Sequence, residues 1–109
     1  MNFKVQATPH FLKEAKKLSK KYISIKPDLE TLSRKLSTNP ESGISLGGNL
    51  YKVRMAITSK GKGKSGGARV ITLVKIIKST VYLVSIYDKS EQESISDKVI
   101  KELIRTIPL

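Results

Sequence analysis

Residues 50–87 read LYKVRMAITSKGKGKSGGARVITLVKIIKSTVYLVSIY. Within 50–57, Tyr51, Val53, Met55 and Ile57 take alternate positions and Lys52 and Arg54 the positions between, the two-residue period of a strand with one apolar face. The Gly- and Lys-rich segment 59–67 interrupts the pattern. ARVITLVKII (68–77) and TVYLVSIY (80–87) then supply two further β-branched runs of strand length, separated by a turn at Lys78 and Ser79. Three consecutive strands with short links predict an antiparallel meander.

On the N-terminal side, FKVQA (3–7) alternates as a short strand. Thr8 followed by Pro9 reads as an N-cap and first helical position. Phe11, Ala15, Leu18 and Tyr22 then recur at helical spacing, leaving Lys13, Lys16, Lys17, Lys20 and Lys21 off the stripe. A second helix begins near Pro27, carries Ile25, Leu29, Leu32 and Leu36 on one side and stops at Asn39 and Pro40. ESGISLGGN (41–49) reads as a loop. On the C-terminal side Ser94 or Ser96 caps a last helix with Ile100, Leu103, Ile104 and Ile107 as its stripe. The predicted fold is α+β: an N-terminal strand and helical hairpin, a three-stranded antiparallel meander and a C-terminal helix, in one domain spanning 1–109.

Charge is the outlying property. The chain has 21 Lys plus Arg against 9 Asp plus Glu, a net charge of +12, which points to a polyanionic partner. Cysteine is absent and His10 is the only histidine. Disulfides, thiolate metal sites and cysteine nucleophiles are thereby excluded, and neither a zinc site nor a His-centred triad is expected. No cofactor is called for. No signal-peptide run and no membrane span is legible, so a cytoplasmic protein is the expectation.

The cations are not evenly spread. Between Glu41 and Asp88 there is no Asp or Glu, while the span holds Lys52, Arg54, Lys60, Lys62, Lys64, Arg69, Lys75 and Lys78. A single-sign field on a central sheet suits phosphate better than plain solvation. The KGKGKSGG loop is not a nucleotide-binding P-loop, because Thr58 stands where the first glycine would be needed and no helix follows. As a basic hairpin tip, Lys60, Lys62 and Lys64 could follow a sugar-phosphate backbone. Lys16 and Lys20 on the first helix read as RNA contacts or as simple solvation.

On four segments, FLKEAKKLSKKY, GGNLYKVRM, GKSGGARVIT and VYLVSIYDKSE, taken in order and combination, this sequence resembles the RelE and HigB toxins of bacterial type II toxin-antitoxin modules, and the resemblance extends over nearly the whole chain. The GGARV and IYDKSE blocks point to the HigB branch. The resemblance implies a ribosome-dependent endoribonuclease that cuts messenger RNA without a metal, by attack of the 2′-OH on the adjacent phosphate, and that a cognate antitoxin silences. A ParE-like toxin, which shares the fold and binds DNA gyrase without cleaving RNA, is the alternative.

Matched motif by motif, the resemblance puts Lys52 and Arg54 at the family's paired basic positions on the second strand, Arg69 at the start of the third and Lys89 just past the fourth. Arg54 and Arg69 would grip the phosphate. Lys52 would be the base, since crowding by like charges disfavours its charged form, and Lys89 the acid. RelE has a functional tyrosine near the final helix, where this chain reads ESISDKVIKEL and has none. Tyr87, on the strand, is the substitute expected to orient the 2′-OH or stack on a base.

Overall fold

A computed structural model describes residues 2–107. The chain runs β1 (Lys4–Ala7), α1 (Pro9–Lys21), α2 (Ile25–Thr38), β2 (Ile44–Gly47), β3 (Leu50–Met55), a 3-10 turn (Thr58–Lys60), β4 (Ala68–Lys75), β5 (Thr80–Asp88) and α3 (Asp97–Arg105). The expected meander forms as β3, β4 and β5, antiparallel throughout. It is the middle of a five-stranded sheet of order β1-β5-β4-β3-β2, in which β1 joins β5 in parallel.

One element departs from expectation. The loop predicted over 41–49 contains the edge strand β2, antiparallel to β3 with a register shift between Ser45 and Gly47. Its residues are exposed throughout, so it has no buried face to imprint alternation on the sequence. The strands expected over 50–57 and 68–77 are shorter than their patterns: Ile57 belongs to the core without belonging to β3, and Ile76 and Ile77 lie in the β4–β5 turn, exposed.

The helices follow their stripes. Thr8 caps α1 by accepting the Phe11 N–H (3.2 Å), and its hydroxyl donates to the Leu83 carbonyl (3.0 Å), which ties the helix start to β5. Phe11, Ile25, Leu32 and Leu36 from α1 and α2 pack with Val53, Met55, Val70, Val81 and Ile86 on one face of the sheet. Ser96 caps α3 by accepting the Val99 N–H. Ile100 and Ile107 pack with Ile71, Leu73, Tyr82 and Val84 on the other face.

α1 also seals an edge. β1 ends opposite Leu83, so the rest of β5 has no strand on that side. The Glu14 carboxylate fills the gap, accepting the Ile86 N–H (3.1 Å) and the Ser85 hydroxyl (2.7 Å), with His10 Nε2 3.0 Å from the same oxygen. A buried strand edge is thereby satisfied by a side chain. No helix among the described residues is long and apolar enough to cross a membrane.

Candidate active site

The register brings the sequence-predicted site residues together. Arg54 of β3 lies opposite Arg69 of β4, and Arg69 lies opposite Tyr87 of β5. Directly opposed residues in a sheet project from the same face, so the three form one cross-strand row. Lys52 pairs with Ile71, two positions along the same face. That face is the one α3 covers: Ile71, Leu73 and Tyr82 carry the helix, and the cationic row continues the face beyond them. Lys89 follows β5, and its N–H donates to the Gly67 carbonyl (3.0 Å) at the start of β4. All five residues therefore gather at one end of one face.

Their environments differ. Arg54 is exposed and Lys52 half-buried. Arg69 is only 6% exposed, and its Nη1 donates to the carbonyls of Lys64 (2.9 Å) and Ala68 (3.2 Å) while Nη2 reaches that of Ser65 (3.4 Å). Two arginines opposed across a ladder repel, and these carbonyl dipoles offset the repulsion by drawing Arg69 into the basic loop. Tyr87 is buried, and its hydroxyl has no hydrogen-bond partner among the described residues. Burial pushes its phenol above the ordinary value and the Arg69 charge pulls the other way, so the group is a proton donor at neutral pH. The Lys89 ammonium stands 4.0 Å from the exposed Glu93 carboxylate.

The hairpin loop divides. Lys62 and Lys64 are exposed. Lys60 is not: its ammonium lies 2.7 Å from Asp88 Oδ1 and donates to the Ser90 hydroxyl (2.7 Å), above the Tyr22 ring. Tyr22 donates to the other Asp88 oxygen (2.7 Å). The Asp88 side chain is 1% exposed and that of Lys60 9%. Burial would by itself raise the Asp88 pKa, but the hydrogen bonds from Lys60, Tyr22 and Ser90 outweigh it and hold the carboxyl well below the usual carboxylate range. Lys60, expected to face RNA with its two neighbours, instead locks the loop to β5 and α1. Asp88 and Tyr22 were not among the expected site residues. Asp88, the acid that ends the acid-free span, was the available signal, whereas nothing local marks the Tyr22 contact, which spans 66 residues.

Lys16 and Lys20 stay apart from this site. They ride on α1, which packs against the opposite face of the sheet. Lys16 lines a groove of about 590 Å³ between α1 and α2.

Gly67 makes the junction of loop and sheet possible. A Cβ there would stand 2.3 Å from the Met55 carbonyl oxygen and 3.0 Å from Ala56 Cα. Only glycine lets β4 start this close to the end of β3.

A family model described as RelE toxin of the RelE / RelB toxin-antitoxin system matches residues 4–107. Among solved structures, a double arginine-to-alanine mutant of E. coli toxin RelE in the free state is 18% identical, with a TM-score of 0.65 over 99% of this chain and 100% of that one. The isolated E. coli RelE toxin is 19% identical, with a TM-score of 0.61 over 98% and 100% of the two chains. These structures share the fold described above.

Proposed function

The chain belongs to the RelE family of toxins from toxin-antitoxin systems, and from that premise we propose that it is an endoribonuclease that cuts messenger RNA on the ribosome, in the cytoplasm, until a cognate antitoxin binds it. The observation that carries this reading is the row Arg54, Arg69 and Tyr87 with Lys52 beside it. Three cations and a phenol occupy one end of a sheet face with no carboxylate in the row.

Such a set suits metal-free transesterification. The RNA 2′-oxygen forms a bond to the adjacent phosphorus, the bond from phosphorus to the 5′-oxygen breaks, and the products are a 2′,3′-cyclic phosphate and a 5′-hydroxyl. Lys52 takes the 2′-OH proton, and Lys89 gives a proton to the departing 5′-oxygen. Arg54 neutralises the charge that builds on the phosphate oxygens. Arg69 uses three donors on the carbonyls of Lys64, Ser65 and Ala68. Its Nε–H and the second Nη2–H have no acceptor among the described residues, and these two donors side by side match two phosphate oxygens. Tyr87, held protonated, donates to the phosphate or to the 2′-oxygen.

The test is the Lys52→Ala, Arg54→Ala double variant. Neither side chain is buried, so the fold should survive while growth arrest disappears. Primer extension on RNA from induced cells should show cuts inside reading frames for the parent protein and none for the variant. Undiminished toxicity of the variant would overturn the assignment, and supercoiling defects without cuts would replace it with gyrase binding. Arg69→Ala is a poorer test, because it also releases the loop.

A further inference from the structure

β2 pairs with β3 only as far as Lys52, and beyond that point the outer edge of β3 borders a cavity of about 260 Å³ shared with α2 and the basic loop. Leu32, Met55 and Ala56 give it an apolar wall, and Lys35, Arg54 and Lys64, all exposed, supply charge. None of the three cations has an ion-pair partner among the described residues. The one acid in the lining, Asp28, is already committed. Its Oδ1 accepts the Thr58 hydroxyl (2.5 Å), and its Oδ2 accepts the Thr58 N–H (2.9 Å) and the Ser24 hydroxyl (2.7 Å). Asp28 therefore caps the 3-10 turn, and the cavity keeps a surplus of positive charge beside an apolar surface.

We propose that this cavity is a second nucleotide site, which holds one residue of single-stranded RNA flanking the phosphate at the Arg54–Arg69–Tyr87 row. The inference rests on the ribonuclease reading above for the identity of that neighbouring phosphate. Arg54 belongs to both places, so a strand lying across the row reaches the cavity without leaving the protein surface. A base lies on the exposed Arg54 guanidinium plane, as unstacked RNA bases do, above the narrow apolar rim that Leu32, Met55 and half-buried Ala56 present to the cavity. Lys35 and Lys64 meet the flanking phosphates. The volume falls near the lower end for small-ligand cavities, which fits one nucleotide. Lys35 has no part in the cleavage chemistry, so it is a substrate-positioning rather than a catalytic residue.

The experiment uses the full chain, labelled with ¹⁵N, and an RNA trinucleotide whose 2′-hydroxyls are methylated so that it cannot be cut. Titration should shift the amides of Leu32, Lys35, Met55 and Lys64. Lys35→Gln should weaken binding and flatten the plot of log affinity against log salt by about 0.7, the loss of one phosphate contact on a single strand. Silent cavity amides, or an unchanged salt slope in the variant, would overturn the proposal. So would a response of the same amides to poly-glutamate but not to RNA, which would assign the cavity to an acidic protein. Because the probe is uncleavable, the outcome is independent of catalysis. Binding here by a protein that cuts no message would uphold the site and sink the nuclease, and in-frame cutting with silent amides would do the reverse.

Discussion

Asp88 closes the acid-free span of the sequence, yet its carboxylate faces inward and anchors the loop that carries the lysines. Because its folded pKa lies below the unfolded value, the stabilisation is complete above the ordinary aspartate pKa of about 3.9. It is lost as the pH falls below that value. Urea unfolding at a series of pH values should therefore show stability dropping on acidification in the parent protein and a flatter profile in Asp88→Asn. Lys60→Met removes one member of a buried pair and should cost about 3 kcal/mol, read as a lower urea midpoint at neutral pH. Lys62→Met, on the exposed part of the same loop, should change stability by less than about 0.5 kcal/mol. Composition could not separate these lysines, since all sit in one KGKGK run and the partner of Lys60 is 28 residues away. The row of Arg54, Arg69 and Tyr87 was more accessible to sequence reading, because strand alternation together with a motif resemblance fixes which residues face the same way. The hold of the Lys64 and Ser65 carbonyls on Arg69 was not, for it depends on where the loop backbone turns.

Among the elements, the helices were legible because each buries one stripe, with Thr8 and Ser96 capping α1 and α3, and the meander because β3 alternates while β4 and β5 are continuous β-branched runs buried on both faces. The edge strand β2 was invisible for the opposite reason, with nothing buried on either side. The parallel docking of β1 beside β5 was equally unreadable, since strand order is a long-range choice that local periodicity does not encode. The GGARV block combines both situations. Its glycines read as loop, while the structure gives Gly67 a steric duty against the end of β3. Gly67→Ala should therefore destabilise by about 2 kcal/mol through backbone displacement, measured as a shift of the urea midpoint. It should also lower cleavage, because the Lys89 N–H hangs on the Gly67 carbonyl. An unchanged midpoint would mean that the strand junction relaxes without cost.

Over the whole molecule, the net charge of +12 divides into a working part and a structural part. Lys60 is consumed inside and Lys21 is paired with Glu91 at the surface, whereas Lys35, Arg54, Lys62 and Lys64 stay exposed without a carboxylate partner among the described residues. Affinity for single-stranded RNA should fall linearly with log salt, with a slope near −0.7 for each phosphate engaged. Engagement of those four cations predicts a slope of about −3, and anisotropy titrations from low to physiological salt measure it. A slope near zero would mean that the cations do not meet RNA. The sheet order has a further consequence for how the protein comes into being. Lys4 pairs with Thr80 and Ala7 with Leu83, so the first strand synthesised must wait for the last, and α1 and α2 have no finished sheet to pack on until then. Long-range pairing of this kind makes folding slow. The row at Arg54 likewise has no third member until Tyr87 has been added. On the ribonuclease reading, a growing chain therefore stays inactive until β5 has been made and has paired with β4 and β1.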